Sequence, residues 1–227
     1  MKSIQFNTEM VEAILEDRKT VTRRVIKQIP NHWHFSRRIM DWDLSRVYTN
    51  EFDGDTLNFE VQCDVDDSFM ATAKAPYKVG DILYVKETWK KYDKMVGTGD
   101  ECHLESFIGY KANRNTEVPS EFFESKWKSP ACMPKAVARI FLKVTNVRVE
   151  RLQDITKTDA RNEGVRDPYD YIDSLYWEQV SGLDYDIGAF VRFWNATLKK
   201  ENLDGRSWDA NPYVWVIEFE KIEKVEV

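Results

Sequence analysis

The chain of 227 residues is 42% hydrophobic and 32% charged, which excludes a disordered or fibrous protein. Its 33 lysines and arginines against 39 aspartates and glutamates give a formal charge of -6, so the field of the whole chain repels polyanions and any nucleic-acid contact has to be local. No apolar run approaches the roughly 20 residues that cross a bilayer, and the opening Met1-Lys2-Ser3-Ile4-Gln5-Phe6 lacks the apolar stretch of a secretory signal, so a cytoplasmic protein without membrane contact is expected.

In chain order, Asn7 or Thr8 caps a short helix with Glu9 in its first turn and Met10, Val11, Ile14 and Leu15 as its apolar stripe, ending near Asp17. The β-branched run from Arg18 to Ile26 reads as a turn feeding a strand, on which Thr22 and Arg24 share a face and Arg23 takes the other. Between about 27 and 77 the pattern weakens, although Arg46-Val47-Tyr48 and Leu57-Asn58-Phe59-Glu60-Val61 flank Asp53-Gly54 as a hairpin would. Lys78-Val79-Gly80-Asp81 is a turn, and Ile82-Leu83-Tyr84-Val85 a buried strand running into the polar end Lys86-Glu87-Thr88-Trp89. A second loose stretch, about 90 to 135, contains the breakers Gly97, Gly99, Pro119, Pro130 and Pro134 and one short strand, Phe107-Ile108-Gly109-Tyr110.

From 136 to 152 apolar residues fall on even positions (Ala138, Ile140, Leu142, Val144) and then on odd ones (Val147, Val149), which predicts a bulge or bend near Thr145-Asn146 in a curved sheet. Thr156-x-x-Asp159 resembles a capping box for a short helix that Gly164 stops, placing Glu163 at the helix exit. Residues 169–179 read as helix or ordered loop, and Asp186 as the cap of a helix with Phe190, Val191, Trp194 and Leu198 on one face. A last strand runs from Tyr213 to about Ile222. The expectation is an α+β fold in one domain, 1–227, with a curved sheet or barrel and insertions at about 27–77 and 90–135.

Cys63, Cys102 and Cys132 are odd in number and far apart, against a disulfide framework, and with His32, His34 and His103 they form no metal-binding spacing. No structural metal and no cofactor is expected. The phosphate-loop, dinucleotide, zinc-protease and serine-hydrolase motifs are all missing. What remains is Arg18-Lys19-Thr20-Val21-Thr22-Arg23-Arg24, whose four cations suit a phosphate clamp or a solvated turn. Within it, a lysine desolvated in a cleft has a lowered pKa and can take a proton from a nearby hydroxyl, which singles out Lys19 and Thr22.

Four ordered blocks carry a resemblance. They are Ile14-Leu15-Glu16-Asp17-Arg18-Lys19-Thr20-Val21-Thr22-Arg23-Arg24, Val79-Gly80-Asp81-Ile82-Leu83-Tyr84-Val85-Lys86-Glu87-Thr88-Trp89, Val147-Arg148-Val149-Glu150-Arg151-Leu152-Gln153-Asp154-Ile155-Thr156 with Glu163-Gly164-Val165, and Asn211-Pro212-Tyr213-Val214-Trp215-Val216-Ile217-Glu218-Phe219. Together they resemble the signature of the ASCH domain family, especially its larger bacterial and phage-borne members. The resemblance implies a PUA-like fold, a small curved β-barrel with flanking helices and a cleft for a nucleobase or RNA. It also implies, from some small members, an amidohydrolase that removes the acetyl group of N4-acetylcytidine with a lysine as proton acceptor, a threonine as nucleophile and a glutamate as proton donor. Those roles fall on Lys19, Thr22 and Glu163, with Arg18 and Arg24 as substrate-binding partners. Many relatives carry glycine at the position of Asp17, and aspartate tolerates the same left-handed turn.

Glu87 and Trp89 have two readings: Trp89 stacking a base while Glu87 accepts from its amino edge, or a salt bridge and a core tryptophan. Trp33, Trp42 and Trp127, in the insertions, suit core or ligand roles. For the whole chain the leading expectation is a hydrolase of an acylated or modified pyrimidine nucleoside. The alternatives are a non-catalytic RNA or modified-base binding module with a basic patch at Arg18, Lys19, Arg23, Arg24, Arg37 and Arg38, and an accessory protein of a phage or mobile element. The structural alternative to catalysis is that Lys19 and Glu163 form an ion pair closing the barrel, with Thr22 an ordinary strand residue.

Overall fold

The computed structural model describes residues 1–27, 48–52, 56–62, 69–112, 118–119, 122, 126–165, 184–200 and 203–223. Several sequence expectations lie outside them: His32, Trp33, His34, Arg37, Arg38, Trp42, Cys63, the Asp53-Gly54 turn and the segment 169–179. The described chain is α+β and clusters into two compact units, each assembled from separated stretches of sequence.

The first unit comprises Met1–Asp17, Ile82–Lys143 and Lys221–Val227. Strand β1 (Lys2–Gln5) pairs in parallel with β6 (Ile82–Lys86), and β6 pairs antiparallel with the start of β9 (Phe141–Arg151). Helix α1 (Thr8–Leu15) starts as expected, Asn7 Oδ1 accepting from the Met10 amide at 2.8 Å, and buries Val11, Ala13 and Ile14. It leaves through Asp17 at φ 57, the left-handed conformation its short polar side chain tolerates. The polar end of β6 breaks at Glu87, and a new strand, β7 (Trp89–Val96), pairs along its whole length with β8 (His103–Tyr110). The sequence shows only the last half of β8, because the outer residues of this ribbon are mostly exposed and carry no apolar alternation. Trp89, Met133, Ala138 and Phe141 form one core cluster of this unit, with Tyr84, Ile108, Tyr110, Val137 and Ile222 packed around them.

The second unit comprises Arg18–Asp81 and Val144–Glu220. Here β2 (Val21–Val25) pairs antiparallel with β10 (Tyr213–Ile222), from Val214↔Val25 to Glu218↔Val21. Strands β3 (Tyr48–Phe52), β4 (Thr56–Gln62) and β5 (Phe69–Lys74) form an antiparallel sheet with an irregularity at Val61/Gln62, so the expected hairpin is present and gains a third strand. The expected turn before β6 closes with the Asp81 amide donating to Lys78 O at 3.1 Å, and Gly80 supplies φ 85.

Strand order runs β1–β6–β9 in the first unit and β9–β10–β2 in the second. Among the described residues the order ends at β1 and at β2, and no barrel closes. Along β9 two exposed residues in succession, Thr145 and Asn146, interrupt the alternation where the parity switch is expected.

Among the described residues the second unit also holds the α-helices α2 (Lys157–Asn162), α3 (Tyr185–Thr197) and α4 (Leu203–Arg206). Thr156 caps α2 as predicted, its hydroxyl accepting from the Asp159 amide at 3.1 Å. The cap of α3 is Asp184 rather than Asp186: Asp184 Oδ1 accepts from the Asp186 amide at 3.0 Å, while Asp186 is buried and takes Arg161 at 2.9 Å. The apolar faces of α2 and α3 meet one face of β2 and β10 in a core of Val21, Leu152, Ile155, Ala160, Phe190, Trp194, Trp208, Val214 and Val216. Trp194 can be buried there because its indole N–H donates to Arg206 O at 2.8 Å.

Candidate functional site

The site lies within the second unit, where the exit of α2 is tied to the entry of β2. Glu163 is the C-cap of α2 and Gly164 turns the chain at φ 84. Lys19 and Glu163 form an isolated antiparallel bridge, and the Thr20 amide donates to Asn162 O at 2.9 Å. These backbone bonds place two residues far apart in sequence side by side before any side-chain attraction acts.

Lys19 Nζ lies 2.6 Å from Glu163 Oε2 and 2.8 Å from both Val21 O and Glu163 O, so each ammonium proton has an acceptor. Lys19 and Glu163 are both buried, at 2% and 3% exposure. Burial pushes the Lys19 pKa below its ordinary 10.5; the charge and hydrogen bond of Glu163 oppose that shift, and Arg24 and Arg23 add to it. A lowered pKa favours the neutral amine form of Lys19, the form that can act as a base.

Thr22 is buried on β2 opposite Ile217, next to the peptide whose carbonyl Lys19 holds. Arg24, two residues on and therefore on the Thr22 face, is half-buried. Burial lowers the Arg24 pKa from its ordinary value, while Glu163 and an ionised Tyr77 oppose the shift. Tyr77 is the group that sequence reasoning missed. Burial raises its pKa above 10.0, Arg24 opposes the shift and Asp81 adds to it. A tyrosine closing a stretch of weak pattern offers no motif, and the only sequence signal was the turn that follows it.

Arg18 is placed by the same turn, its guanidinium Nη1 donating to Gly164 O at 2.8 Å, so it braces the exit of α2. Glu87 and Trp89 belong to the first unit. Both Glu87 oxygens accept from Arg139, Oε1 from Nε and Oε2 from Nη2, each at 2.9 Å. Trp89 is a core residue whose ring faces the Lys128 ammonium at 4.8 Å. Trp127 meets the Lys90 ammonium at 4.0 Å. Within the second unit, Glu163, Arg23 and Arg24 act on Lys19, Thr22 adjoins the Val21 carbonyl that Lys19 holds, and Tyr77 acts on Arg24.

Among the described residues no group of three or more His, Cys, Asp or Glu could hold a metal ion, and no helix is long and apolar enough to cross a membrane. Comparison with protein-family models, with curated proteins and with solved structures finds no match to this chain.

Proposed function

We propose that this chain is an ASCH-type hydrolase of PUA-like ancestry that removes the N4-acyl group of a modified pyrimidine nucleoside, with N4-acetylcytidine as the model substrate. The observation that carries the reading is the buried Lys19–Glu163 contact of 2.6 Å, whose ammonium also holds the carbonyl of Val21, the residue before the buried Thr22. Moving the Lys19 proton to Glu163 leaves a neutral amine and a carboxylic acid, the two forms that amide cleavage requires. Lys19 then takes the Thr22 hydroxyl proton as the oxygen attacks the acyl carbon. Collapse of the tetrahedral intermediate breaks the C–N4 bond while Glu163 protonates N4, releasing the nucleoside. Water, deprotonated by Glu163, attacks the threonine ester, and the Lys19 ammonium returns its proton to the departing Thr22 oxygen, giving the free acid and restoring Thr22 and the neutral amine. Arg24, on the Thr22 face, holds the substrate, and Tyr77 flanks it.

The full coordination of the Lys19 ammonium favours a second reading, a protein that binds a modified base or RNA without reacting, for which Lys19–Glu163 is only a brace. Chromatographic analysis of N4-acetylcytidine incubated with wild type, Lys19→Ala and Glu163→Gln separates the two. Conversion by wild type, lost in both folded variants, supports hydrolysis; no conversion by folded wild type leaves binding.

A further inference from the structure

The alternation of β2 puts an arginine where an apolar residue belongs. Val21 and Val25 lie on the face that packs with Val214 and Val216, yet Arg23 stands between them on that face, opposite Val216. It is 3% exposed, and its Nε has no hydrogen-bond partner. A buried guanidinium with a donor unfilled is destabilising, and an apolar residue of similar volume would complete the cluster better. Departures of this kind from the local pattern concentrate at functional sites.

The remaining guanidinium nitrogens are aimed in two directions. Nη1 lies 3.4 Å from Glu163 Oε1, the oxygen that Lys19 does not use. Nη2 lies 3.1 Å from both Glu150 Oε2 and Asp159 Oδ2. Glu150, on β9, also accepts from Arg148, which reaches Glu218 on β10 and approaches Asp159 at 3.6 Å. Charges of alternating sign thus run from the half-exposed Glu218 through Arg148, the Glu150–Asp159 pair, Arg23 and Glu163 to the buried Lys19. Arg24 and Tyr77 are the other charged or titratable groups acting at the inner end.

We propose that Arg23 is a positioning residue: it holds Glu163 Oε1 so that Oε2 faces Lys19, and through Glu150 and Asp159 it links the proton balance of that pair to the acids nearer the surface. This deepens the catalytic reading and rests on it for any effect on turnover, whereas the coupling to Lys19 can be read without a substrate.

The test is an NMR titration of protein carrying ¹³C-labelled lysine ε-carbons, with the Lys19 resonance assigned by its loss in Lys19→Met. Arg23→Gln removes a positive neighbour and moves the Lys19 midpoint up. Glu150→Gln leaves the Arg23 charge less compensated and moves it down. A side chain that only props up the fold would give shifts of one sign in both variants, because loosening admits water to Lys19 in each. Glu150 is 21% exposed, so Glu150→Gln tests the link even where Arg23→Gln does not fold. An unmoved or raised midpoint in Glu150→Gln overturns the proposal. Where wild type hydrolyses N4-acetylcytidine, Arg23→Gln lowers kcat about 10- to 100-fold with little change in KM, and Arg23→Lys restores part of it. A wild type without activity but with the opposed Lys19 shifts defeats the hydrolase reading and leaves the coupling standing.

Discussion

Lys19 concentrates the electrostatic consequences of this site because its burial makes protonation unfavourable. The unfolded chain holds this proton up to about the ordinary value of 10.5, whereas the folded protein releases it at lower pH. Between those two values the unfolded state binds more protons, so stability rises with pH across that window, and below it the penalty is present in full. Tyr77 acts in the opposite sense: its raised pKa means that stability is lost as pH climbs from 10.0 through the folded value. Denaturant midpoints measured from neutral to alkaline pH should therefore rise below 10.5 in wild type, and this rise should vanish in Lys19→Met; a rise of the same size in both would show that Lys19 is not its source. Tyr77→Phe should remove the loss at the alkaline end. Lys19 and Thr22 were singled out in the sequence by the basic block and Glu163 by the family resemblance, and the structure brings Lys19 and Glu163 into contact. Arg23 was legible as a strand residue on the face opposite Thr22 and as a cation of a candidate basic patch, but not as a buried one, since its partners Glu150 and Asp159 come from β9 and α2, far along the chain.

At the scale of the element, the short helix α2 aims the site. Its Thr156 cap and Gly164 exit fix both ends of six residues, so a change at either end is felt at Glu163. Replacing the cap, Thr156→Ala, should lower stability by about 1 kcal/mol. Gly164→Ala forces a side chain into φ 84 and should destabilise by roughly 1–2 kcal/mol. Gly205→Ala, in α4, meets open space without a positive φ, and should be neutral or stabilising by up to about 1 kcal/mol. Denaturant unfolding of the three variants ranks them, and a Gly164→Ala protein as stable as Gly205→Ala would contradict the left-handed exit. Caps and turns were readable because their residues act locally: Asn7, Thr156, Gly80 and Gly164 all sit where the sequence places them. The helix over 185–197 shows the limit, since Asp184 and Asp186 are equivalent as caps until Arg161 claims the second. The ribbon of β7 and β8 was half invisible for a different reason, because strands without a buried face leave no alternation to read.

For the whole molecule the formal charge is -6, and two of the four cations of the basic block are buried. Lys19 and Arg23 are buried on carboxylates, and Arg18 is spent on Gly164 O. Phosphate-driven association needs cations free to displace counterions. Binding of a single-stranded RNA oligonucleotide, followed by fluorescence anisotropy as salt rises from about 50 to 200 mM, should be weak, whereas nucleoside affinity should be nearly insensitive to salt. Tight RNA binding with a steep salt slope would favour the binding-module reading instead. The α+β class was readable from the succession of elements, but pairing between distant strands was not, since β1 with β6 and β2 with β10 leave no local mark.

That distance along the chain has a bearing on biosynthesis. Strand β2 is made early, yet the partner that covers one of its edges, β10, and the helix exit that receives Lys19 are translated much later. Long-range pairing of this kind has to wait for the intervening sequence. A nascent chain on the ribosome therefore carries Lys19 as an ordinary solvated amine, and its lowered pKa arises only once the later sequence has emerged and the fold buries it.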